Sequence, residues 1–208
     1  MILFDLTGAA ESHPEYQALE AANLNRQYDF LESIVTASLS FQRSFLSGHL
    51  LKALNFHAIT CLHINAGEYR PCAVCVGDYT PPAHYRVDAL MEDFVNSVNR
   101  YWENADPVAL AAFVLWRLNH IHPFINGNGR TARAACYFVL CVKVGQWLPG
   151  AVILPELIYR DRDEYVEALK KLDESVKQGT LDVEPLHEFL SKRLEEQINS
   201  APADATPS

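Results

Sequence analysis

Apolar residues return every three or four positions over most of the chain. From Pro14 to about Ser40, Tyr16, Leu19, Leu24, Tyr28, Leu31, Ile34 and Val35 keep that spacing and predict a long amphipathic helix. A second run goes from Leu50 to about His63, where Asn65-Ala66-Gly67 is expected to stop it, glycine taking the helix-ending position. Val87 to Tyr101 predicts a third helix. Asp106-Pro107 then pairs an N-cap residue with a proline at the first helical position. The helix they open passes through Leu110, Val114 and Leu118 to about Ile121. Another is predicted from near Arg130 to Gly145, Pro155 opens the next, and Val183 to Ile198 reads as a closing amphipathic helix.

The period changes between Tyr69 and Tyr79. Tyr-Arg-Pro-Cys-Ala-Val-Cys-Val-Gly-Asp-Tyr alternates roughly every second residue and ends on turn formers, which predicts a short hairpin or flap. Thr80-Pro81-Pro82 follows as a stiff, non-helical connector. The expected fold class is therefore all-α, a helical bundle with one small β-hairpin flap. Over 208 residues there is no internal repeat and no Gly/Ser linker, which favours one domain. Residues 200–208, small and polar, are expected to form a disordered tail.

Composition narrows the partners. The formal net charge is −9 and the basic residues are scattered, without the basic face of a nucleic-acid binder or the polybasic run of a membrane-surface protein. The longest apolar stretch, around Val108 to Trp116, is far short of a membrane span. The opening residues, Met1 to Leu6, are too short for a signal-peptide core and include Asp5. Five cysteines (61, 72, 75, 136 and 141) form an odd set that suggests reduced thiols and a cytoplasmic protein.

The chemistry concentrates in His122-Pro-Phe-Ile-Asn-Gly-Asn-Gly-Arg-Thr-Ala-Arg133. Gly127-Asn128-Gly129 lies at a helix entrance, where permissive residues let successive backbone N–H groups converge. The helix dipole adds about half a positive charge at the same place, so an anion site exists before side chains are counted. Arg130 and Arg133, three apart, share a face of the first turn. Cations there are disfavoured by roughly 0.3–1 kcal/mol each, which makes sense if a multiply charged anion sits between them. A nucleotide polyphosphate fits, and arginine suits bidentate phosphate contacts. His122 closes the preceding helix and can act as a general base towards a hydroxyl. Phe124 reads as an apolar peg anchoring the loop.

This string resembles the signature of the Fic family, His-x-Phe-x-(Asp/Glu)-Gly-Asn-Gly-Arg-x-x-Arg, at every fixed position but one. Gly67-Glu-Tyr-Arg70 with the Val74–Pro82 segment resembles the family's flap, and Arg162-Asp-Glu-Tyr165 with Ala168-Leu169 its later helix. The resemblance spans roughly residues 45–175. It implies a helical extension at 1–44, a catalytic core at 45–175 and a C-terminal helix at 176–199. It further implies that His122 takes the proton of a Ser, Thr or Tyr hydroxyl on a target protein. That hydroxyl attacks the α-phosphate of ATP and pyrophosphate leaves. Gly127, Asn128 and Gly129 would cradle the α- and β-phosphates, Arg130 would hold the β-phosphate and Arg133 the γ-phosphate. The flap residues Cys72, Ala73, Val74, Cys75 and Val76 would align the target as an added strand.

Asn126 is the departure. It stands where the family has the Asp or Glu that binds Mg²⁺ (or Mn²⁺), and an amide oxygen brings no negative charge. Weakened metal binding is the expectation. The family's inhibitory helix, Ser/Thr-x-x-x-Glu-Gly/Asn, also has no match: four residues before Glu103-Asn104 stands Asn99, and Ser38 leads to Gln42-Arg43. Control by a separate inhibitory protein is one consequence.

Other candidate sites are weaker. Cys72-Ala-Val-Cys75 has zinc spacing but no second pair to complete four ligands. His120 and His122 form a His-x-His pair with no acidic neighbour in sequence, and His63 and His84 are placed around the flap. Tyr159 and Tyr165 are candidates for a base pocket. Besides protein AMPylation, the motif allows transfer of UMP, phosphocholine or phosphate, although the phosphotransferring Doc branch has Lys where Gly129 stands. A nucleotide-binding or interaction module without catalysis is the reading from another class, and Asn126 is its main support.

Overall fold

The computed structural model describes residues 2–42 and 45–201. Among them are nine α-helices: α1 (Leu3–Leu6), α2 (Pro14–Ser40), α3 (Gly48–Ile59), α4 (Val87–Tyr101), α5 (Pro107–Ile121), α6 (Asn128–Val144), α7 (Leu154–Arg160), α8 (Arg162–Lys177) and α9 (Glu184–Asn199). Most of the tail expected to be disordered lies outside the described residues.

The centre of the bundle is the α5–α6 pair, the most extensively packed of all. Both helices are apolar nearly all round, as fully enclosed helices must be. Leu110, Val114, Leu115, Leu118 and Ile121 are buried on α5, and Cys136, Tyr137, Phe138, Val139 and Leu140 on α6. Buried Ala111 and Ala112 on one helix and Ala132, Ala134 and Ala135 on the other leave room for close approach. Helices α2 and α3 flank α6 on one side, and α9 lies against α5, α7 and α8 on the other.

Local signals set the ends. Asp106 accepts a hydrogen bond from Ala109 N at 2.9 Å, and Pro107 occupies the first turn of α5. Gly145, with φ +87°, terminates α6 in the left-handed conformation that suits glycine. Helix α3 ends earlier than its apolar period suggests, at Ile59, because Cys61 turns the chain at φ +63°. Gly67 therefore serves another purpose: a Cβ there would lie 3.0 Å from both Lys52 O and Phe56 Cβ, so glycine lets the returning loop pass against α3.

The β-hairpin is not formed. Among the described residues there is no strand, only isolated bridges pairing Val76 with Tyr79 and Tyr69 with Phe124. Val76 and Tyr79 exchange two backbone hydrogen bonds of 3.0 Å around Gly77-Asp78. The second arm cannot extend the ladder, because Pro81 and Pro82 have no N–H to donate. The alternating segment is thus an exposed loop closed by a tight turn.

Candidate active site

His122 is held in an unusual backbone conformation. It caps α5 at φ +51°, ψ +60°, a left-handed geometry that costs a non-glycine residue roughly 1–2 kcal/mol. The conformation turns the chain sharply into Pro123 and brings the histidine to the mouth of a cleft. Phe124, fully buried, pegs the loop to the core beneath. Asn128 ties the loop shut: its Nδ2 donates to Phe124 O and its Oδ1 accepts from Phe124 N, both at 2.9 Å. The Asn128 side chain is a brace for the loop rather than a cleft-facing group.

Gly127 is the N-cap of α6 at φ +74°. A Cβ there would stand 2.6 Å from Ile59 Cγ2 and 3.1 Å from Asn55 Nδ2, so the position admits only glycine. Asn55, buried on α3, donates to Asn126 O at 2.9 Å and to Thr131 Oγ1 at 3.3 Å, fixing the loop from below. Gly127, Asn128 and Gly129, at the start of α6, line a cleft.

The cleft has a volume of about 710 Å³ and is lined by His122, Asn126, Gly127, Asn128, Gly129, Arg130 and Arg133 from the loop and α6, and by Cys75 and Val76 from the turn segment. Gln17, Glu20, Leu24 and Tyr28 of α2 form its far wall. A second chamber of about 750 Å³ shares Val76, His122, Gly129, Arg133, Tyr159 and Arg162 with it and continues between α5 and α8 past Tyr165 and Asp173. Of the expected flap residues, Cys72 and Ala73 are exposed outside both chambers, and Val74 is partly covered.

The two arginines differ. Arg133 stacks over the Tyr159 ring with its guanidinium carbon 5.2 Å from the centroid. Among the described residues no carboxylate lies within ion-pair distance of it, so its charge is open to an anion. Arg130 is occupied: it donates to Ala58 O at 3.0 Å and to Asn126 Oδ1 at 2.8 Å, and Glu20 Oε1 lies 3.1 Å from Nη1. The acidic side chain on this arginine was missed in sequence because Glu20 is followed by Ala21, not Gly or Asn, and lies 110 positions away.

Burial, followed by the positive charge of Arg70, pushes the His122 imidazole down to about 4. The ring is neutral at physiological pH and can accept a proton. Its neighbour His120 has the acidic partner that the local sequence lacks: Asp173 Oδ1 on α8 is 3.0 Å from His120 Nδ1. His63 is no part of the flap surroundings. It is buried under α2, with Nε2 2.6 Å from the Tyr16 hydroxyl and 3.5 Å from Glu11.

The donor set at Asn126 does not suit a divalent metal. Its single oxygen faces the Arg130 guanidinium, and its amide nitrogen donates to Glu11 Oε1 at 3.0 Å. Among the described residues no three His, Cys, Asp or Glu side chains gather where they could hold an ion. Cys72 and Cys75, like the other three cysteines, are free.

The same loop and helices are found in known proteins. Residues 46–140 match the model of the Fic/DOC family. That stretch, a little under half of the chain, is similar to the Fic/DOC domain. Relatives named protein adenylyltransferase Fic agree with it: that of Drosophila grimshawi is 33% identical over 137 residues, covering 65% of this chain and 26% of the relative. That of Nematostella vectensis is 31% identical over 144 residues, covering 69% and 31%. This chain thus spans about a quarter to a third of the length of these relatives. Among solved structures, Fic-1 (residues 134–508) from C. elegans aligns with TM-score 0.66 and 26% identity over 86% of this chain and 49% of that one. A Fic domain containing signaling protein from Bacteroides thetaiotaomicron has the same fold, with TM-score 0.70 at 23% identity over 87% of this chain and 71% of its own.

Proposed function

We propose that this chain is a protein adenylyltransferase of the Fic/DOC family, moving AMP from ATP to a Ser, Thr or Tyr hydroxyl of a target protein. The observation that carries it is one cleft combining a neutral His122, the open amino end of α6 and an Arg133 that has no carboxylate partner among the described residues. The polyphosphate lies over Gly127–Gly129, with Arg133 on its far end and the nucleoside directed into the second chamber beside Tyr159. His122 takes the proton from the target hydroxyl. The freed oxygen forms a bond to the α-phosphorus, the bond from that phosphorus to the bridging oxygen breaks, and pyrophosphate departs.

Residues 45–175 form the catalytic core in this reading, 1–44 are an extension whose long helix walls the cleft, and 176–199 close the bundle. The target docks along Cys72–Val76. Among the described residues the backbone groups of Ala73, Val74 and Cys75 make no hydrogen bonds, so they are free to pair with an extended peptide. Five unpaired thiols fit a reducing compartment, the cytoplasm. Among the described residues no helix is long and apolar enough to cross a membrane.

The test is to add ATP and the protein, wild type or His122→Ala, to a cell lysate and look by mass spectrometry for adenylyl groups on protein hydroxyls. Modification by the wild type only supports the proposal. Equal modification by both removes His122 from it.

A further inference from the structure

The last carbonyls of an α-helix lack intrahelical donors. At the end of α5, two of them are capped by side chains from the turn segment. Tyr79 donates its hydroxyl to His120 O at 2.7 Å, and Arg70 donates Nε–H to His122 O at 2.8 Å. The rest of the Arg70 guanidinium grips the segment itself, donating to Cys72 O at 3.0 Å and Pro82 O at 2.5 Å. Arg70 is only 3% exposed, and among the described residues it has no carboxylate partner. Its buried charge is carried by three carbonyls, which join the two ends of the segment to the backbone of His122.

Tyr79 has its own support. Its oxygen is 3.2 Å from His120 Nδ1, which in turn is 3.0 Å from Asp173 Oδ1. Asp173 also accepts from Trp116 Nε1 at 2.8 Å. A carboxylate only accepts, and the Tyr79 proton is already given to His120 O, so the His120 ring carries a hydrogen on Nδ1. The turn is thereby fastened through α5 to α8.

The segment needs such fastening. Between Cys72 and Pro82 its own backbone bonds are the Val76–Tyr79 pair alone among the described residues, and two prolines follow. We infer that Arg70 and Tyr79 are positioning residues that clasp segment 72–82 to the carboxyl end of α5 and so set where a docked acceptor lies relative to His122. An added peptide strand inherits the position of the edge it pairs with, so a loose edge would leave the acceptor hydroxyl out of register with the imidazole. The acceptor half rests on the transfer proposed above; the clasp rests on the contacts alone.

Tyr79→Phe removes one hydroxyl and keeps the ring, and Arg70→Lys keeps the charge but loses the three-way fork. In the full chain, amide hydrogen exchange of residues 72–82 is measured alongside ATP affinity by calorimetry and the KM and kcat for an acceptor. In Tyr79→Phe, exchange of the Val76 and Tyr79 amides, the hydrogen-bonded pair of the segment, should quicken about five- to tenfold, the effect of one lost hydrogen bond, while α5 and α6 keep their protection. The KM for acceptor should rise by a similar factor with kcat and ATP affinity nearly unchanged. Arg70→Lys should lower kcat as well, since His122 loses its tether. Unchanged exchange in both variants overturns the clasp. Faster exchange with unchanged acceptor KM overturns its role in docking. If the wild type modifies no acceptor, the transfer proposal fails, and exchange still decides the clasp.

Discussion

Glu20 and Arg130 are paired across the mouth of the cleft, Glu20 Oε1 lying 3.1 Å from Arg130 Nη1. They join α2, which precedes the residues that match the Fic/DOC model, to the first turn of α6, which lies within them. The arginine expected to meet a phosphate is thus already holding a carboxylate. The glutamate is partly exposed, so the pair is worth roughly 0.2–1 kcal/mol. Glu20→Gln should tighten ATP binding by up to about fivefold, measured by calorimetry. Weaker binding in the variant would show that Glu20 supports the nucleotide rather than competing with it.

Asn126 lies between opposite charges, accepting from Arg130 and donating to Glu11. Asn126→Asp replaces that amide with a carboxylate able to take a hard cation. The variant should depend on Mg²⁺ for nucleotide affinity severalfold more strongly than the wild type. The check is a Mg²⁺ titration with chelator controls. Equal dependence in both proteins would mean that this position does not touch the ion.

His122, held down to about 4 by burial and by Arg70, stays neutral well below the ordinary imidazole range. A general base with that pKa retains its lone pair as pH falls from 7 to 5. The rate of transfer at saturating substrates should therefore stay level through pH 6 and fall only as pH approaches 4. A half-maximal rate near pH 6.5 would indicate an imidazole exposed to solvent.

At Gly127 the backbone is left-handed and the space for a Cβ is filled by Ile59. Gly127→Ala should destabilise the fold by roughly 2–4 kcal/mol, strain and overpacking adding together. Thermal unfolding would register it as a lower midpoint. An unchanged midpoint would show that the loop can shift away from α3.

What was legible in the sequence follows the range of the interactions. Asp106-Pro107, Gly145 and the apolar period of α2 and α5 act within one or two turns, and their helices lie where the pattern puts them. The convergence of His122, Gly127, Arg130 and Arg133 was legible because twelve consecutive residues carry it. The flap failed as a hairpin because alternation describes one arm only, and Pro81-Pro82 deny it a partner. Contacts between distant residues were hidden. Asp173 meets His120 across 53 positions, and Arg70 reaches His122 across 52, with no local spacing to announce either. Glu20 escaped because a motif search asks for neighbours in sequence, whereas Arg130 needs only a carboxylate in space.

Nucleotidyl transfer by His122 leaves a signature in which phosphate of ATP reaches the acceptor. The most direct measurement supplies ATP labelled at the α- or the γ-phosphate to wild type and His122→Ala, with lysate proteins as acceptors. Label reaching protein from the α-position only, and absent in the variant, is the predicted result. Label from the γ-position would mean phosphotransfer, and no label from either, with ATP binding intact, would mean a nucleotide-binding module; either result rules out AMP transfer by His122.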